Sequence, residues 1–71
     1  MVEDVKSPLP GKVLSVKVKP SDKVNVNDVL LTIESMKMEN EILAPKAGIV
    51  KEVKVSSGMR VSVGASLVTI E

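Results

Sequence analysis

The chain has no cysteine, no histidine and no aromatic residue. Without cysteine there are no disulfide staples, thiolate nucleophiles or thiolate metal ligands, and without histidine the commonest general base and zinc ligand are missing too. With no Phe, Tyr or Trp, the core must be aliphatic, and 71 residues allow one small core only. No apolar stretch approaches a membrane span, and no signal-peptide pattern opens the chain. Ten basic and nine acidic residues are dispersed to a net charge of +1. No basic run or basic–aromatic alternation suits nucleic acid. These absences lead to a default reading of a soluble, intracellular domain. It has no catalytic residue, no metal site, no nucleic-acid partner and no direct membrane contact.

What is present is β-branched. Fourteen Val, six Leu and four Ile make up most of the apolar set, and such side chains pack well on a pleated surface. The chain also repeats itself. Ser7 to Glu34 aligns without gaps on Ala44 to Glu71, 37 residues later, with twelve identities in 28 positions. Pro8 matches Pro45, Gly11 matches Gly48, Val13 matches Val50, and Leu30, Thr32, Ile33 and Glu34 match Leu67, Thr69, Ile70 and Glu71. Chance supplies a few valine matches in such a chain, but not Pro, Gly and a closing Leu-x-Thr-Ile-Glu in register.

Each half reads as about four short strands. Val16 and Val18 alternate with lysines, as do Val53 and Val55, which is the period of a half-buried strand. Val24 with Val26, and Val61 with Val63, read as very short strands, ended by Asn27-Asp28 and by Gly64. Asn and Gly both tolerate left-handed backbone and can fill equivalent turn positions. No helical period of useful length occurs. The expected fold is all-β: a small flattened antiparallel barrel or sandwich of about eight strands with internal two-fold pseudosymmetry. It forms one domain over residues 1–71, with repeats at about 1–34 and 38–71. The strand near Met1 should then lie beside the one ending at Glu71, with residue 37 at the opposite end. Met1 is compatible with a free subunit, although a domain excised from a longer chain is favoured.

Only Ser35, Met36 and Lys37 separate the repeats, so a tight hairpin is expected there, yet Asn-Gly and Asp-Gly are absent. Met and Lys in such a turn cost backbone energy, and such violations tend to mark function. Taken alone, the segment also fits a surface lysine with methionines folded back onto the core.

Glu34-Ser35-Met36-Lys37-Met38-Glu39-Asn40 closely resembles the biotinylation motif of biotin carboxyl carrier domains, and the resemblance extends over essentially the whole chain. Pro8-Leu9-Pro10-Gly11 and Pro45-Lys46-Ala47-Gly48 resemble the family's two Pro-x-x-Gly segments. The resemblance implies that Lys37 accepts biotin covalently and that Met36 and Met38 set its presentation and ligase recognition. It gives Glu34 a part in ligase recognition. The implied partners are a biotin protein ligase, a biotin carboxylase, and a carboxyltransferase or decarboxylase between which the carboxyl group is shuttled. The domain itself would be a non-catalytic carrier in the cytoplasm, or at the membrane face within a decarboxylase pump. The sequence departs from the family at Ser21 and Asn27, where glycines are common, and at Ser35, where alanine is commoner. The protruding insertion of one bacterial branch is absent between Val18 and Val24.

Two rivals remain. A lipoyl carrier domain shares the fold and repeat, but its lysine typically follows Asp. An unmodified adaptor sandwich gives no reason for Met-Lys-Met.

Overall fold

The computed structural model describes residues 2–71 and is built wholly from strands and turns. Met1, included in the first repeat above, lies outside the described residues. The strands are β1 (Glu3–Lys6), β2 (Gly11–Val16), β3 (Lys23–Val24), β4 (Val29–Ser35), β5 (Met38–Leu43), β6 (Gly48–Val53), β7 (Arg60–Val61) and β8 (Ser66–Ile70). They form two four-stranded sheets, in the orders β1-β8-β6-β3 and β5-β4-β2-β7, with antiparallel pairing throughout. The sheets do not close into a barrel, so of the two expected forms the sandwich is the one adopted.

The 37-residue offset carries β2 onto β6 and β3 onto β7 residue for residue. It also carries one sheet onto the other, strand by strand. Each sheet takes two strands from each half, so neither half owns a sheet. The turns cross over in the same way. The Ser21 and Gly58 amides donate to the carbonyls of Val50 and Val13, and those of Asn27 and Gly64 donate to Ala44 and Ser7, all at 2.8 Å. Ser21, Asn27, Gly58 and Gly64 have φ of 80°, 72°, 95° and 87°. The first-half residues thus hold the left-handed backbone that glycine holds in the second. Asp22 and Asp28 brace these less favourable turns. Their carboxylates accept the Lys19 amide at 2.9 Å and the Asn25 amide at 2.8 Å, a side chain-to-backbone bond that Asp makes readily in turns.

The expected strands at Val24–Val26 and Val61–Val63 are shorter than the alternation suggested. Val26 and Val63 lie past the strand ends and are exposed. The left-handed residue that follows each one turns the chain before a third ladder pair can form.

Four β-bulges, at Leu14, Leu30, Lys51 and Leu67, also obey the repeat. A bulge breaks the in–out alternation of a strand. Leu30 and Leu31 are therefore both fully buried, and so are Leu67 and Val68. With Val13, Ile33, Val50 and Ile70 they form the aliphatic core, each burial worth roughly 1.5–3 kcal/mol.

Candidate functional site

β4 and β5 form a hairpin paired from Val29↔Leu43 to Ser35↔Met38, which leaves Met36 and Lys37 as a two-residue turn. Their φ values are 55° and 64°. Positive φ at both central residues defines the type I′ turn, whose twist matches the strands it joins. For Met and Lys this conformation costs roughly 1–2 kcal/mol per residue. The adjoining ladder holds them in it. The Asn40 side-chain amide adds two ties, donating to the carbonyls of Met38 at 3.2 Å and Ile33 at 3.4 Å.

The turn turns its side chains outward. Met36 is 92% exposed and Met38 67% exposed, so neither folds back onto the core. Lys37 and Glu34 are exposed, while Ser35 is half-buried. The four residues singled out from sequence are thus brought together within five positions of one hairpin tip. Lys37 enters no ion pair among the described residues, and its amine is open to an acylating reagent. A side chain to be joined covalently to a bulky acid needs this clearance, and no cavity is required to hold the acid.

β2 supports the tip from beside it. Gly11 lies so close to β4 that an added Cβ would overlap the Glu34 carbonyl oxygen and stand 2.7 Å from Ile33 Cγ2. A shallow groove of about 370 Å³ runs between residues 10–12, 34–37 and Arg60. A second groove, of about 360 Å³, lies between the edge strands β1 and β5. It is lined by pairs the repeat relates, Asp4 with Glu41, Val5 with Ile42 and Pro8 with Pro45, and it does not include the hairpin tip.

Sequence reading gave Asn40, Gly11, Lys12 and Arg60 no individual part in the site. The repeat carried a signal for one of them, since Lys12 aligns with Ile49 and breaks the likeness of the halves.

At the chemical level the tip offers a primary amine on a flexible stem, presented by a rigid turn between two polarisable thioethers. Glu34 and Glu39 face each other in the cross-strand pair below Ser35↔Met38.

Comparison with known proteins gives a concordant result. A family model described as "Biotin-requiring enzyme", which covers biotin and lipoyl attachment, matches residues 3–70. A biotin carboxyl carrier protein of Streptococcus mutans is 48% identical over 64 residues, covering 90% of this chain and 49% of that protein. A protein of Mycobacterium leprae named biotinylated protein TB7.3 homolog is 43% identical over 70 residues, covering 99% of each. Among solved structures, Kluyveromyces lactis urea carboxylase superposes over 100% of this chain with a TM-score of 0.94 and 27% identity, although the match spans 6% of that enzyme. The chain is therefore about half the length of the streptococcal relative and a small part of the yeast enzyme.

Proposed function

The chain belongs to the biotin/lipoyl-attachment family of biotin-requiring enzymes, and from that premise we propose that it is a carrier domain whose Lys37 bears biotin in amide linkage. The observation that carries this reading is the exposed Lys37, held between two exposed methionines on a left-handed turn at the end of the molecule.

When bound, biotin supplies a ureido nitrogen that takes up and releases a carboxyl group. The chain contributes placement. Acylation of Lys37 replaces an ammonium by a neutral amide and brings the formal charge from +1 to about zero. The lysine stem and the acyl tail together provide on the order of ten rotatable bonds, while the I′ turn fixes their root. The attached group can enter an active site with the sandwich remaining outside. Tethering replaces free diffusion by a high effective concentration at each site visited. Met36 and Met38 present the lysine to a biotin ligase, and Glu34 assists recognition. The remaining partners are a biotin carboxylase and a carboxyltransferase or decarboxylase, in the cytoplasm. No helix among the described residues is long and apolar enough to cross a membrane.

The test is incubation with biotin, ATP and a biotin ligase, read by intact mass and streptavidin blotting. The expected result is one biotinyl addition on the wild type and none on Lys37→Arg. A wild-type chain that stays unlabelled overturns the carrier reading, and label on Lys37→Arg overturns the site. Intact mass also separates biotinyl from lipoyl addition when lipoate and its ligase are supplied instead.

A further inference from the structure

One row of side chains crosses the whole outer face of the hairpin's sheet just below the tip. Arg60 on β7 pairs with Lys12 on β2, Lys12 with Glu34 on β4, and Glu34 with Glu39 on β5. Val13 and Ile33 beside them are fully buried, so strand alternation sends Lys12 and Glu34 outward. All four charged residues are exposed, and none is engaged in an ion pair among the described residues. The row therefore reads plus, plus, minus, minus.

This order is unfavourable for the isolated domain. Like charges directly opposite on neighbouring strands destabilise a sheet, and the row contains two such pairs, Arg60–Lys12 and Glu34–Glu39, against one favourable pair, Lys12–Glu34. The internal repeat supplies a control. Thirty-seven residues away, the corresponding positions are Lys23, Ile49, Glu71 and Val2. There Ile49 sits beside Lys23 on β3 and is hydrogen-bonded to Glu71. At that end each sign occurs once, in Lys23 and Glu71, because an aliphatic residue stands in place of Lys12 and another in place of Glu39. The doubling occurs only around Lys37.

We propose that this row is the alignment surface for the enzyme that acylates Lys37, a protein whose own face carries acidic groups over Arg60 and Lys12 and basic groups over Glu34 and Glu39. The proposal rests on the carrier reading above. The row lies two residues from the turn, about 7 Å along the strands. An enzyme that brings an acyl carbon to Nζ must approach within the length of one lysine stem and so covers the row. Enzymes that later meet the far end of the acylated arm stand off by a much longer reach. A row with one sign change also has a direction. It distinguishes the two ways of laying the hairpin across a partner, and complementary charge of this kind acts through encounter rate and register.

The experiment uses the full chain and a purified biotin ligase that labels the wild type. A variant with Lys12→Gln, Arg60→Gln, Glu34→Gln and Glu39→Gln is compared with wild type and with Lys23→Gln at the far end. The expected result is a tenfold or greater fall in kcat/KM for the four-site variant at low salt, expressed mainly in KM. Raising the salt should slow the wild type and leave the variant nearly unaffected. Lys23→Gln should behave as wild type. Thermal unfolding of the four-site variant should be unchanged or shifted upward, which separates lost recognition from lost folding. A folded four-site variant labelled with wild-type kcat/KM and wild-type salt dependence overturns the proposal while leaving Lys37 as the acceptor. A wild type that no ligase labels overturns the carrier reading and this one with it.

Discussion

Gly11 packs its bare Cα against the carbonyl of Glu34, the residue three before Lys37, and an added Cβ would overlap that oxygen. Gly48 repeats the contact at the other end, where a Cβ would stand 2.5 Å from the Glu71 carbonyl. The nearest obstructing atom at each glycine is backbone, which cannot rotate aside. Gly11→Ala and Gly48→Ala are each expected to destabilise the fold by about 1–3 kcal/mol, the usual cost of overpacking. Their local effects should differ. Amide NMR shifts at residues 34–39 should move strongly in Gly11→Ala and little in Gly48→Ala.

The turn offers the opposite experiment. Asn accepts the left-handed backbone that Met36 adopts at φ 55° more readily than Met does. Met36→Asn should therefore recover about 1 kcal/mol of stability, seen as a rise in Tm of roughly 4–8 °C. Under the carrier reading, biotinylation should slow at the same time. A variant both more stable and labelled as fast as wild type would remove the assigned role of Met36.

Two equivalent threonines differ in their partners. Thr32 Oγ1 shares a 2.9 Å hydrogen bond with Ser15 Oγ, whereas Thr69 Oγ1 is buried without a partner, the cross-strand neighbour in the place of Ser15 being Glu52. A buried hydroxyl left unsatisfied costs about 1–3 kcal/mol. Thr69→Val keeps the shape and removes that cost, so it should stabilise by about 1 kcal/mol. Thr32→Val should destabilise by roughly 0.5–1.5 kcal/mol through the lost bond. Urea unfolding of both variants checks the opposite signs.

Acid should weaken the turn that Asp22 braces. The amide of Lys19, then its ammonium at 3.0 Å, hold the Asp22 carboxyl below its ordinary value of 3.8. A folded-state value below the unfolded one adds stability above the unfolded pKa, and that stability is lost as the pH falls through the folded value. The gap in Tm between wild type and Asp22→Asn should thus be full at pH 6 and shrink only as the pH falls below the carboxyl's ordinary value of 3.8. A gap independent of pH would mean that the carboxylate charge does not contribute.

Much of this fold was legible because the repeat acts as an alignment within one chain. It located β2 against β6, β3 against β7, and the left-handed pair Asn27/Gly64. The tip followed from what remained between the repeats. Two pairings were legible from the symmetry, the β4–β5 hairpin and β1 beside β8. The rest were not: a period of two says that a strand has an inner face, but not which strand lies beside it, and so the β3–β6 and β2–β7 pairings between halves were hidden. The same limit hid the charged row, because Arg60 and Lys12 lie far apart in sequence and meet only through β2–β7 pairing. Val26 and Val63 misled for a different reason: their alternation is intact, but the left-handed residue after each ends the strand.

The interleaving of halves bears on descent. A single 37-residue copy holds strands for two different sheets and can complete neither of them. If the chain arose by duplication, its one-copy forerunner buried its core only as a symmetric dimer with identical faces, the commonest closed assembly. Fusion of two such copies would run through residues 35–37 at one end and leave β1 beside β8 at the other. One covalent junction therefore makes the two ends unequal, a closed turn that presents a side chain at one and the paired strands β1 and β8 at the other.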